Sequence, residues 1–172
     1  IRDRLEVGAG PGGLTEELAR YAGRVVAVEL DEELAGIARR RLSGNPTVCV
    51  LAADILEFTP EELLRECGAE PPYVACGNLP YYITQPTVRR LLESVIPPER
   101  IVVMVQREVA RRMVGGPGRE SLLSMSIRST IHLRSKILKF LSRKIKYILS
   151  LELSLKQPTK MWKTMVWQTS KL

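Results

Sequence analysis

The chain has 172 residues, 45% of them hydrophobic, and a formal net charge of +7, which is enough for one domain with its own core. No apolar run is long enough to span a bilayer and no signal peptide is visible, so no membrane partner is expected and a soluble, cytoplasmic monomer is. His132 is the lone histidine, which argues against a histidine triad or a metal site. Cys49, Cys67 and Cys76 lack metal-ligand spacing and are expected as three buried or idle thiols in a reducing compartment.

The chain starts at Ile1, almost directly on a strand, which predicts that an N-terminal segment is missing. Residues 4–7 read as that strand, followed by Gly8-Ala9-Gly10-Pro11-Gly12-Gly13, a turn over which a ligand can approach the backbone. Helical spacing sets Leu14, Leu18 and Ala22 on one face of a helix over residues 14–22. A second strand over 24–30 carries Glu29 near its end. Asp31 is a good N-cap for a helix over 32–42. A third strand over 47–51 leads to Asp54. Thr59-Pro60-Glu61-Glu62 reads as a helix start with proline in its favoured place. A fourth strand over 72–76 precedes Asn78-Leu79-Pro80-Tyr81, and a helix follows over about 84–94. A fifth strand over 100–105 and a helix over about 106–114 end at Gly115-Gly116-Pro117-Gly118. Strands alternating with helices predict an α/β fold, a mostly parallel sheet with helices on both faces.

The charge is unevenly spread. Residues 1–130 hold 16 Arg, no Lys and 18 acids, whereas residues 131–172 hold two Arg, eight Lys and one acid. Residues 131–172 also contain no glycine, alanine or aspartate. The expected organisation is one domain over 1–130 and an atypical Lys-rich tail over 131–172. A frameshift or chimeric join near Thr130 would make that tail non-native, and would leave the fifth strand with a bare edge. Leu133, Ile137, Leu141, Ile145 and Ile148 recur at helical spacing among basic residues. At face value they form a basic amphipathic helix suited to RNA or an anionic surface; the alternatives are a solvated helix or a segment with no native fold.

Chemistry concentrates at the strand ends. Gly8, Gly10 and Gly13 fit G-x-G-x-x-G after a strand, and Glu29 ends the next strand, a pattern that also describes a dinucleotide site and so a nicotinamide-dependent oxidoreductase. Two further acids favour S-adenosyl-L-methionine. Glu6, two residues before the first glycine, suits a cationic methionine end and would repel a pyrophosphate. Asp54 can accept a hydrogen bond from the cofactor's adenine amine. The cofactor-binding set is therefore Glu6, Gly8, Gly10, Gly12, Glu29, Asp54 and Asn78. Asn78, Leu79, Pro80 and Tyr81 form the candidate catalytic set. The Asn78 amide oxygen and the Leu79 carbonyl can accept the two hydrogens of an adenine amine, Tyr81 can stack on the base, and Pro80 stiffens the turn. An ordinary strand-to-helix turn is the plain alternative.

Several stretches together resemble a known family: residues 6–15 (Glu6-Val7-Gly8-Ala9-Gly10-Pro11-Gly12-Gly13-Leu14-Thr15), Val28-Glu29-Leu30-Asp31, Ala53-Asp54, Gly77-Asn78-Leu79-Pro80-Tyr81-Tyr82-Ile83-Thr84 and Gln106-Arg107-Glu108-Val109-Ala110-Arg111-Arg112. They look like the ribosomal RNA adenine N6-dimethyltransferases, the small-subunit enzymes more than the large-subunit resistance methylases. The resemblance covers about residues 3–130. It implies a Rossmann-like methyltransferase fold and S-adenosyl-L-methionine as cofactor. It also implies dimethylation of two adjacent adenosines near the 3′ end of the RNA of the small ribosomal subunit. It assigns Gly8, Glu29, Asp54 and Asn78 to the cofactor site, with Asn78 and Tyr81 also facing the target base. The family's N-terminal Gln-Asn-Phe-Leu segment is missing here, and its last strands and small helical domain do not follow Ser121. A fold that binds RNA without chemistry is the non-enzyme alternative.

Overall fold

The computed structural model describes residues 2–106, 109, 137–139, 146–156 and 160–166. The chain divides into two compact units, Ile1–Asn78 with Pro86–Pro98, and Leu79–Gln85 with Glu99–Leu172.

In the first unit, four strands alternate with helices: β1 (Asp3–Val7), α1 (Gly13–Ala19), β2 (Val25–Glu29), α2 (Glu32–Leu42), β3 (Val48–Ala52), α3 (Pro60–Glu66) and β4 (Tyr73–Asn78), followed by α4 (Tyr81–Glu93), of which the part from Pro86 onward belongs to this unit. The strands lie side by side in the order β3-β2-β1-β4, and each pair is parallel. Val25, Val26, Ala27 and Val28 are all essentially inaccessible to solvent. A strand buried on consecutive residues is covered on both faces, as parallel sheets require. α2 packs on β2 and β3 and contributes the fully buried Ala35 and Ala38.

Local sequence explains where the helices begin. The Asp31 carboxylate accepts from Glu33 N at 2.9 Å and Leu34 N at 3.1 Å, so α2 starts where its cap predicts. α3 opens on a reciprocal capping box: Thr59 N donates to Glu62 Oε2 at 2.7 Å and Glu62 N to Thr59 Oγ1 at 3.2 Å. α4 begins at Tyr81 rather than near residue 84, which leaves Pro86 inside the helix. The Asn-Leu-Pro turn therefore runs straight into α4 with no intervening loop.

The thiol expectation needs correction. Cys49 in β3 and Cys67 at the end of α3 form a disulfide, with Cα atoms 5.7 Å apart, and Cys76 is the free, buried thiol. Spacing along the chain gave no sign of the pairing because the two sulfurs meet only through the packing of β3 and the end of α3, which are separated by the Asp54 turn.

The second unit contains β5 (Arg100–Gln106), β6 (Ile137–Lys139), β7 (Lys146–Lys156) and β8 (Lys160–Val166). Here the amphipathic-helix expectation is overturned over the described residues, since Ile137 lies in β6 and Ile148 in β7. The sequence carries two competing periods. Tyr147, Leu149, Leu151, Leu153 and Leu155 alternate with Ile148, Ser150, Glu152, Ser154 and Lys156, and this period of two is the strand pattern. β7 runs antiparallel to β5, setting Leu151, Leu149 and Tyr147 opposite Ile101, Val103 and Val105. β6 and β8 pair with β7, also antiparallel. The expectation of a bare β5 edge is corrected by the same pairing. Of the helix expected over 106–114, the described residues are Gln106, which ends β5, and the buried Val109. Arg107, Glu108, the glycines after residue 114, and Leu133, Leu141 and Ile145 lie outside the described residues.

Gly12 joins the loop after β1 to the body of the first unit. Its φ is +84°, and a Cβ there would lie 2.9 Å from Leu42 Cδ1 and 3.3 Å from Ala38 Cβ. The leucine terminus can swing aside; the alanine on α2 cannot. Gly12→Ala is therefore expected to destabilise the fold by about 1–3 kcal/mol, from backbone strain and crowding together. Urea unfolding measures this directly, and an unchanged midpoint would show that the loop relaxes without cost.

Candidate active site

Along the carboxyl edge of the first unit, strand order fixes the order of the candidate residues. β1 has β2 on one side and β4 on the other, so the chain's winding reverses at β1, the place where open α/β sheets bind ligands. Reading β3-β2-β1-β4, the residues at or just past the strand ends are Asp54, Glu29, Gly8 and Asn78. Gly8 N and Ala9 N both donate to Val28 O, at 2.9 and 3.2 Å, which holds the start of the glycine loop against β2. A Cβ at Gly8 would lie 3.8 Å from the Asn78 carbonyl oxygen, so the loop and the end of β4 are close neighbours.

Glu29 organises this edge. Its Oε2 accepts from Gly10 N at 2.7 Å and its Oε1 from Asp31 N at 3.0 Å. Its backbone carbonyl accepts from Ala53 N at 2.9 Å. One residue thereby joins the glycine loop, the start of α2 and the end of β3. Asp54 follows, half-buried, with Oδ1 accepting from Leu56 N at 2.8 Å.

Glu6 is 1% exposed, and neither carboxyl oxygen has a hydrogen-bond partner. Burial pushes its pKa up to about 7; the Thr15 hydroxyl tempers the rise, and the Glu29 carboxylate adds to it. Thr15 sits close enough to act on the charge, yet its Oγ1 also lacks a partner. A full Glu6–Thr15 hydrogen bond is thus not formed, and the pair is a buried acceptor and hydroxyl held in register. An orphaned buried carboxyl is costly unless something pairs with it.

Asn78 ends β4 with its side chain in an exposed residue. In the second unit, Leu79 is buried and its N donates to Met104 O at 3.1 Å. The Pro80 carbonyl accepts from Thr84 Oγ1 at 2.8 Å and from Ile83 N at 3.3 Å. Tyr81 is 56% exposed, so its ring is available to a partner. Two residues went unnoticed in the sequence: Thr15 and Thr84, both fully buried. The signal for Thr84 was present, since a threonine four residues after a proline at a helix start can bond back to its carbonyl. For Thr15 helical spacing pointed elsewhere, to Leu14, which is 43% exposed. A cavity of 440 Å³ bounded by Leu56, Pro60, Pro86 and Arg90 is lined by none of these residues.

The profile of the family described as Ribosomal RNA adenine dimethylase matches residues 3–150. The chain is similar to Ribosomal RNA small subunit methyltransferase A of Dehalococcoides mccartyi (strain CBDB1), 46% identical over 124 residues that make up 72% of this chain and 42% of that protein. The protein of the same name from Geobacter sulfurreducens is 41% identical over 128 residues, 74% of this chain and 46% of that one. The chain thus spans less than half the length of these relatives. Among solved structures, the 23S rRNA methyltransferase ErmE superposes with a TM-score of 0.69 at 30% identity, covering 92% of this chain and 64% of that one. A dimethyladenosine transferase from Plasmodium falciparum has the same fold, with a TM-score of 0.63 at 21% identity over 88% of this chain and 55% of that one.

The buried Glu6 carboxyl gives the ligand-free protein a pH signature. Its folded pKa, about 7, lies above the ordinary value of 4.5, so between those values the folded state holds the proton more tightly than the unfolded state. Stability therefore falls as pH rises through that window, by about 3 kcal/mol for this group alone. Glu6→Gln should remove that component. Urea unfolding at pH 5 and pH 8 measures it as the difference between wild type and variant; an identical pH dependence in both would show that Glu6 is solvated.

Proposed function

The chain belongs to the ribosomal RNA adenine dimethylase family, and on that premise we propose that it is the methyltransferase core of an enzyme that dimethylates N6 of adenosines in small-subunit ribosomal RNA, with S-adenosylmethionine as methyl donor. The observation that carries the proposal is the buried, unpartnered Glu6 carboxyl on β1, two residues before the glycine loop. Such a group suits the cationic amino end of S-adenosylmethionine. The pyrophosphate of a nicotinamide dinucleotide would bring negative charge towards it, which counts against the oxidoreductase reading.

The residues present fit this cofactor. Glu29 has two carboxylate oxygens at the loop to accept from ribose hydroxyls, and Asp54 has a second oxygen, beyond the one engaged by Leu56 N, to accept from an adenine amine. The cofactor, when bound, supplies a methyl group on a sulfonium, a good leaving group. What is left to the chain is orientation and charge complementarity. The Asn78 amide oxygen and the Leu79 carbonyl accept the two amine hydrogens of the target adenine, which turns the nitrogen lone pair towards the methyl group. The Tyr81 ring holds the base by stacking. Thr84, by bonding the Pro80 carbonyl, keeps the turn that carries these groups in one shape. No side chain is needed as general base if the proton leaves after attack. The site of action is the cytoplasm, and the enzyme acts as a monomer on the small ribosomal subunit or its RNA.

Asn78→Ala tests the assignment. Losing one orienting hydrogen bond in a water-excluded site costs roughly 2.7–4 kcal/mol of transition-state stabilisation, or about two to three orders of magnitude in rate. Transfer of labelled methyl groups to small-subunit RNA by a full-length enzyme carrying this change should fall by that factor while the fold stays intact. Turnover near wild type would remove Asn78 from the mechanism.

A further inference from the structure

We propose that Cys49 and Cys67 are a redox modification site, a thiol–disulfide pair that clamps both ends of the segment carrying Asp54 and so strengthens binding of an adenosine-bearing cofactor at the strand edge. The inference rests on the function proposed above for the role of Asp54, and on the structure alone for the clamp.

The two cysteines close a segment with a sequence separation of 18. Within it lie the end of β3, the Asp54 turn and α3. Each end is anchored to β2 or the residue before it. Cys49 pairs in register with Val26, and the Cys67 carbonyl accepts from Arg24 Nη1 at 2.8 Å. Between these anchors the turn runs near the surface, with Glu57, Phe58 and Thr59 exposed. It is held by Glu57 N and Phe58 N on the Asp54 carbonyl and by Arg90 on the carbonyls of Glu57 and Phe58. The disulfide adds a covalent closure to this hydrogen-bonded turn. Closing a loop removes conformations that would otherwise be lost when a ligand orders it.

Cys49 is half-buried and Cys67 is 4% exposed, so Cys49 is the residue with more access. In reduction, the thiolate of a low-molecular-weight thiol attacks the Cys49 sulfur, the protein S–S bond breaks, and Cys67 leaves as a thiolate and takes a proton. A second small thiolate then attacks the small-molecule sulfur of this mixed disulfide, and Cys49 leaves as a thiolate and takes a proton. The products are two protein thiols and one small-molecule disulfide, and two electrons have passed to the protein. Oxidation is the reverse, with the small-molecule disulfide as oxidant. Cys76 does not compete: it is buried, and burial pushes its thiol up to about 12, which leaves almost none of the reactive thiolate.

The test uses the whole chain, equilibrated with reduced or with oxidised dithiothreitol. Alkylation after denaturation, read by mass spectrometry, should count one thiol in the oxidised protein and three in the reduced. Titration with S-adenosylmethionine should give a Kd about two- to tenfold higher on reduction, the range expected for ordering one turn. Cys67→Ser and Cys49→Ser should both hold the reduced value whatever the redox buffer. Hydrogen exchange of residues 53–58 should quicken on reduction, and this readout does not depend on the cofactor's identity. Three alkylated thiols under oxidising conditions overturn the pair. An equal Kd and equal exchange in the two states overturn the clamp. If S-adenosylmethionine binds in neither state while exchange still responds, the function proposed above fails and the clamp stands.

Discussion

The Glu29 carboxylate is the interaction on which the edge of the first unit depends. Its two oxygens take the backbone N–H groups of Gly10 and Asp31, and its own carbonyl takes that of Ala53. A charged acceptor on a backbone donor is among the stronger hydrogen bonds a protein makes. Here it fixes the glycine loop relative to β2, sets the residue that caps α2, and anchors the chain just before Asp54. The same carboxylate lies near enough to Glu6 to raise that group's pKa. The shape of the edge and its electrostatics therefore have a common origin.

Stability and function pull in opposite directions at Glu6. A carboxyl with no hydrogen-bond partner in a dry setting is a cost to the folded chain. The cost is relieved if a cation arrives, because the pairing stabilises the ionised form that burial disfavours. Binding of a cationic ligand and release of the Glu6 proton would then be linked, and the ligand would bind more tightly above neutral pH than below it. Such a site is prepared for its ligand by what it lacks. The buried Cys76, which pairs in register with Glu6 across β1 and β4, offers no competing charge.

Much of this was legible in the sequence, for identifiable reasons. Asp31 and Thr59 announced the starts of α2 and α3 because caps are local chemistry. The order Glu6, Glu29, Asp54, Asn78 announced successive strand ends because strands joined by helices run parallel and so finish on the same edge of the sheet. What stayed hidden was non-local or ambiguous. Cys49 and Cys67 meet only because β3 and the end of α3 converge. Thr15 looks like an ordinary helix residue until its burial is known. Near Ile148 the helical and strand periods overlap, and pairing with β5 selects the strand.

The central claim is that this edge is built for S-adenosylmethionine and that Glu29 holds its ribose. Isothermal titration of the chain with S-adenosylmethionine, and separately with a nicotinamide dinucleotide, tests it most directly. The account predicts binding of the first and none of the second. It also predicts that Glu29→Ala raises the dissociation constant for S-adenosylmethionine about tenfold or more, since a hydrogen bond to a charged group contributes about 1.5–3 kcal/mol. Binding of the dinucleotide in place of S-adenosylmethionine, or an unchanged constant in Glu29→Ala, would contradict it.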